Sequence, residues 1–243
     1  MRKIALIAGI VLAIGAGSAQ AADLPRGPVT KAPVMAPLPT WQGIYWGIHG
    51  GWGWGDADRT IALFDPMFGL FPPAGAASND IDGGIFGGHV GFNWQASPNW
   101  LFGLEASLAW SGVDGTANSP VAAGFTISSD LEWLATVTPR LGWTSNNWLF
   151  YVKGGLAGGR LETVSTLGPG GPVFTGENSM LGWTAGVGLE WMWSPNWIFG
   201  IEYNYYDLGS ENIGGAYAPG GAPAGQTVDV KFSSVLARLS YKY

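Results

Sequence analysis

The 243-residue chain has no cysteine, which excludes both a disulfide scaffold and a thiolate metal site. It also has little charge. Asp, Glu, Lys and Arg make up 12% of the sequence, about half the usual share of a soluble domain and too few to coat a water-exposed surface. Only two histidines are present, which do not make a metal site by themselves. The formal charge of −6 provides no basic field for a nucleic-acid partner. No serine nucleophile motif stands out, and nothing implies a cofactor. Beyond Gly43 no amphipathic helical period can be traced, and no apolar run reaches the roughly 20 residues a membrane helix needs.

What the chain has instead is glycine, 40 residues, and tryptophan, 14. Aromatic and β-branched residues are too frequent for disorder. The chain divides into three parts. Residues 1–21 carry Arg2 and Lys3, the apolar stretch IALIAGIVLAIGAG and the small-x-small site Ala19-Gln20-Ala21, the pattern of a signal peptide cleaved before Ala22. The mature chain would then hold nine basic against seventeen acidic side chains, a net charge near −8. Residues 22–40, ADLPRGPVTKAPVMAPLPT, hold five prolines and read as a semi-rigid periplasmic linker of polyproline type. Residues 41–243 form the folded domain.

Within that domain the hydrophobic pattern has period two. In LEWLATVTPRLGW (131–143), Leu131, Trp133, Ala135, Val137, Leu141 and Trp143 share one face, opposite Glu132, Thr136, Thr138 and Arg140. WLFGLEASLAW and LGWTAGVGLEWMW divide the same way. Such runs predict eight strands near 43–55, 81–95, 100–111, 130–143, 148–159, 179–193, 197–208 and 229–243. Their connections alternate between tight turns and long Gly/Pro-rich loops. The turn is repeated as SPNW at 97, SNNW at 145 and SPNW at 194, spacings of 48 and 49 residues. One unit is therefore a strand up, a long loop, a strand down and a tight turn, with Pro and Asn at the central turn positions.

The two faces decide the class. An eight-stranded barrel has an interior only wide enough for side chains or one small ligand. Most of the tryptophans, with Phe86, Phe92, Phe102, Phe150, Phe199, Tyr203 and Tyr205, lie on the apolar face and could not all fit inside. That face must meet lipid, and the Gly, Ser, Thr, Asn and charged face must line the lumen. A closed barrel satisfies every backbone group within the bilayer. The expected fold is an all-β, eight-stranded antiparallel up-and-down transmembrane barrel. Trp94, Trp100, Trp143, Trp148, Trp191, Trp193 and Trp197 cluster at the tight turns as a periplasmic interface girdle, and Trp52, Trp54, Trp110, Trp133 and Trp183 mark the outer one.

Several segments carry a family resemblance: WQGIYWGIHGGWGWG, GGIFGGHVGFNWQ, EWLATVTPRLGW, GWTAGVGLEW and NWIFGIEYNYYDLGS. The chain resembles the outer-membrane immunogenic, porin-like family of eight-stranded barrels of Gram-negative bacteria over nearly all of 41–243. The resemblance implies an outer-membrane location, a surface-exposed antigenic role and contact with lipid and lipopolysaccharide. The C-terminal run SSVLARLSYKY, with Leu239, Tyr241 and Tyr243 on the lipid face, is similar to the signal read by periplasmic chaperones and the barrel assembly machinery. Pro139 departs from the family, which tends to place a small non-proline residue there. Proline cannot donate to the ladder, so a bulge or break is expected near the periplasmic rim.

Six charged residues fall on the inward face at similar depth: Glu105, Arg140, Lys153, Glu190, Glu202 and Arg238. Neighbouring strands would pair Glu105 with Arg140, Lys153 with Glu190 and Glu202 with Arg238. His49 and His89 extend the layer. Enclosed charges must be paired or hydrated. The layer reads as a salt-bridge network that plugs the lumen, as the constriction of a narrow porin passing ions or small solutes, or as a carboxylate–histidine catalytic site. The plug is the leading reading, with a structural, surface-presenting and non-enzymatic function. The apolar loop 59–78 is either a hairpin packed on the barrel mouth, a contact for lipopolysaccharide, a neighbouring barrel or an extracellular host ligand, or an inward constriction.

Overall fold

A computed structural model of the chain describes residues 40–65, 69–70, 75–118, 125–167, 173–217 and 223–243. The leader 1–21 and linker residues 22–39 lie outside the described residues, as do the side chains of 61–77 in the first long loop.

Alternation makes each segment a strand, and closure pairs every long strand on both sides within the apolar belt, while the β7–β8 ladder stops at Trp183↔Asp207. The long strands are β1 (Gly43–Asp65), β3 (Gly75–Gln95), β4 (Trp100–Asn118), β5 (Phe125–Ser145), β6 (Trp148–Leu167), β7 (Val173–Met192), β8 (Trp197–Tyr217) and β9 (Pro223–Lys242). The short β2 (Gly69–Leu70) pairs only with the end of β1. Each long strand is antiparallel to the next, and β1 pairs with β9 to close an eight-stranded barrel.

The strands run well past the ends expected from the sequence. β1 was expected to stop near residue 55 but stays paired with β3 to Ile61↔Gly75. The Gly/Ser/Asp-rich stretches are extended hairpin arms rather than loops. At 19 to 23 residues, the long strands are about twice the 9–11 residues needed to cross a bilayer. On β1 the outward apolar residues run from Ile44 to Trp54. Ten residues of tilted strand give a belt about 25 Å tall. Asp56 and Asp58 follow outward on the same face, so the rest of the strand stands beyond the membrane.

Two irregularities sit on β5. The register shifts between Leu131 and Trp133 against β6, and between Trp110 and Val113 on the β4 side. This bulge advances the alternation by one residue. Leu131, expected on the lipid face with Trp133, is therefore buried in the lumen, and Leu134 joins it. At Pro139 the pairing of β5 with β6 is interrupted between Val137↔Leu156 and Arg140↔Lys153, while the register on either side is unchanged. The missing N–H breaks the ladder without adding a residue, so Pro139 makes a break and not a bulge.

The periplasmic rim explains the repeated turn. The Asn99, Asn147 and Asn196 carbonyls accept from the backbone N–H of Thr144, Met192 and Lys242. The side-chain amides of the same asparagines donate back to the carbonyls of those three residues at 2.9, 3.0 and 2.9 Å. Each turn thus clamps the end of the following hairpin. The seven girdle tryptophans point outward here, and Trp148 stacks on Trp191 with ring centroids 6.1 Å apart.

Above the outer girdle, Asp82, Asp114, Asp130 and Glu162 stand directly opposite one another on four successive strands. Like charges in register repel. Burial first, and Asp114 second, hold the Asp130 carboxyl above the usual carboxylate range. The folded state therefore binds this proton more tightly than the unfolded chain. The resulting penalty is absent below the ordinary Asp value of about 3.9 and fully present once pH exceeds the raised one. Asp130→Asn should raise the urea midpoint at neutral pH and leave it unchanged near pH 3. An equal effect at both would show that the like-charge row is not responsible.

Candidate functional site in the barrel lumen

The inward side chains form three layers. At the periplasmic end Trp41 turns into the barrel and packs with Leu101, Leu149, Tyr151, Met192 and Ile198. Gly43, with φ of +132°, supplies the bend that sends Trp41 inside. The Trp41 N–H donates to Gln95 Oε1 at 3.1 Å, and its carbonyl accepts from Asn93 Nδ2 at 3.3 Å.

The middle layer brings together all six charges read from the sequence, one from each of β4 to β9, and each is buried. Two of the three expected neighbour pairs form, Glu105 with Arg140 and Glu202 with Arg238, and the third does not. Lys153 Nζ lies 2.7 Å from Glu202 and 3.3 Å from Glu105, and is not paired with Glu190. Glu190 instead takes Arg140 at 3.3 Å and Arg238 at 3.7 Å. Arg238 also grips Glu105 and Glu202, and Arg140 reaches Glu105 at 3.7 Å. The reason is geometric: long side chains in so narrow a barrel reach across the lumen as easily as along the wall. Three carboxylates meet three cations, so the layer is neutral. The space left around His49, Glu105, Lys153, Glu202 and Arg238 is ≈ 10 Å³, about one water molecule.

Two tyrosines complete this layer and were not singled out from the sequence. Tyr45 OH donates to Glu105 Oε2 at 2.8 Å, and Tyr151 OH donates to Glu202. Their rings sandwich the Arg140 guanidinium at 4.4 and 5.1 Å, a desolvated cation–π contact. Each tyrosine lies over a glycine of the next strand: a Cβ on Gly91 would come within 2.1 Å of Tyr45, and one on Gly188 within 2.2 Å of Tyr151. Both tyrosines fall on the inward phase, two or four residues from Lys153 and His49, and that phase was the available signal. His49 and His89 contribute from β1 and β3, so every long strand supplies at least one titratable group.

The third layer corrects the expectation of a polar lumen. Towards the extracellular side the interior is apolar, with Ile81, Ile85, Val113, Leu131, Leu134, Leu161, Met180, Leu208, Val228, Val230, Phe232 and Leu236 in one cluster. Tyr206 stacks on Phe232 with centroids 4.5 Å apart. Most of these residues lie inside the strands expected from the sequence, and only Val113, Leu161 and Val228 stand on strand ends beyond them. Among the described residues no group of three or more His, Cys, Asp or Glu side chains could hold a metal ion.

A closed ladder with an outward apolar belt and a filled interior defines a transmembrane β-barrel protein. The chain belongs to the outer-membrane β-barrel family: the family model described as "Outer membrane protein beta-barrel domain" matches residues 9–243. It is 33% identical over 217 residues to the 31 kDa outer-membrane immunogenic protein of Brucella melitensis biotype 1, covering 86% of this chain and 88% of that one. It is 28% identical over 186 residues to the 22 kDa outer membrane protein of Rhizobium leguminosarum bv. viciae, covering 75% and 71%. Among solved structures, the outer membrane protein OprG from Pseudomonas aeruginosa is similar in fold, with a TM-score of 0.53 at 16% identity, covering 83% of this chain and 96% of that one. The protein is an integral outer-membrane protein of a Gram-negative bacterium, and its belt lies in lipid.

Proposed function

We propose that this protein is a sealed, non-catalytic barrel that reinforces the outer membrane and presents its four hairpin ends at the cell surface. One observation carries the reading: three successive layers fill the lumen, and the charged one leaves a space of only ≈ 10 Å³. A pore would need a continuous wet path, whereas the apolar extracellular layer offers water no partners. A hydrolase would need a carboxylate or imidazole free to reach a substrate. Here every carboxylate of the layer is held by at least two cations. The immunogenic description of the Brucella relatives fits a protein whose surface is displayed.

Within this reading, the leader delivers the chain to the periplasm and is removed, and the proline-rich linker is a spacer. Leu239, Tyr241 and Tyr243 present the last strand to chaperones and the assembly machinery, the aromatic belt contacts lipid and lipopolysaccharide, and the 59–78 hairpin is where an extracellular ligand would dock. A strain lacking the gene should lose resistance to detergent and chelator and regain it from a plasmid copy. Unchanged envelope resistance would overturn the reinforcing role.

A further inference from the structure

His49 on β1 and His89 on β3 are the chain's two histidines, and they meet at the edge of the charge layer. Their Nδ1 atoms are 3.2 Å apart, and the rings stack with centroids 5.4 Å apart. That contact is a hydrogen bond only when one Nδ1 carries a proton and the other does not. Ser240 Oγ lies 2.8 Å from His89 Nε2 and fixes the position of the second ring. Groups from the surrounding strands face the pair. Tyr45 is 6.1 Å from the His89 ring, Arg238 stands opposite His49 in the ladder, and Glu105, Lys153 and Glu202 share the small space beside His49. Arg140 and Glu190 complete the layer. These six charges cancel, so the layer is neutral only while both imidazoles are neutral.

We propose that the His49–His89 pair is an acid-responsive latch that ties β1 and β3 to the charge layer at neutral pH and releases them in mild acid. A first added proton leaves the Nδ1 bond intact but places an uncompensated charge beside Arg238. A second makes both Nδ1 atoms donors, and the bond is lost. The carboxylates cannot absorb the added charge, because each already serves at least two cations. Unfolded imidazoles take up protons freely near pH 6.5, so acid favours the state in which the pair has separated. Among the described residues the cluster above is apolar, with Tyr206 stacked on Phe232. The latch therefore changes the cohesion of the barrel wall and does not depend on whether the lumen conducts.

The test uses the full chain refolded in detergent. The temperature at which the compact gel band is lost should fall between about pH 7.5 and about pH 5. The fall should be larger in the wild type than in the His49→Gln/His89→Gln variant by about 5 °C or more. An equal fall in both, or none in the wild type, overturns the proposal. If the double variant does not refold, ¹⁵N imidazole spectra of the wild type decide the matter. One protonated and one bare Nδ1 at about pH 7.5, in two coupled and inequivalent rings, is expected. Two equivalent, uncoupled rings at the higher pH overturns it.

Discussion

Arg238→Ala should be the most damaging single substitution in the lumen, lowering stability by about 3–5 kcal/mol. Arg238 contacts Glu105, Glu190 and Glu202, more carboxylates than any other cation of the layer engages with both arms of its guanidinium. Its removal leaves three buried carboxylates facing only Arg140 and Lys153. In a site with room for about one water, the surplus charge can be neither hydrated nor moved away. The contrast is Glu132→Gln, which breaks a half-exposed pair with Arg160 and should cost less than about 1 kcal/mol. Urea midpoints of the folded barrel, followed by tryptophan fluorescence in micelles, compare the two. Equal midpoints for Arg238→Ala and wild type would mean that the layer is hydrated and its charges are independent.

Trp41→Ala should cost about 3–5 kcal/mol, the range for emptying a buried indole site. Trp41 is 1% exposed and closes the periplasmic end over Leu101, Leu149, Met192 and Ile198. Its backbone is tied to Asn93 and Gln95, so β1 loses packing at its start while those hydrogen bonds can persist. The loss should appear as a lower urea midpoint and as faster hydrogen exchange in Tyr45, Tyr151 and Lys153. The apolar extracellular layer is untouched, so no conductance should appear. A Trp41→Ala barrel with wild-type stability and exchange would show that this side chain does not seat as described.

The positions of the six lumen charges were legible because the tight turns set the count and period two sets the face. Two of the three ladder pairs were legible as well, Glu105 with Arg140 and Glu202 with Arg238, but the contacts across the lumen were not. Ladder neighbours are fixed by register, but Lys153 and Arg238 cross an interior narrow enough for any wall to be within reach. Leu131 was misplaced because a bulge reverses the alternation. The break at Pro139 was readable from the missing donor alone. The apolar half of the lumen went unread although Ile81, Ile85, Met180, Tyr206, Phe232 and Leu236 fall on the inward phase of the expected strands.

The lumen also explains the period of the sequence. Gly91, Gly103, Glu105 and Arg140 correspond to Gly188, Gly200, Glu202 and Arg238, 97 or 98 residues later, the length of two repeat units. Tyr45 and Tyr151 hold matching places over Gly91 and Gly188. The two halves differ where Gly47 and Asn93 stand against Lys153 and Glu190. The second half adds a cation and an anion together, and the layer stays neutral.

Planar-bilayer recording of the refolded wild-type protein tests the sealed lumen most directly. In concentrated potassium chloride at neutral pH the account predicts a silent membrane, with insertion verified by a heat-modifiable gel band. Steady, reproducible single-channel openings that change when Arg140 is replaced by alanine would contradict it.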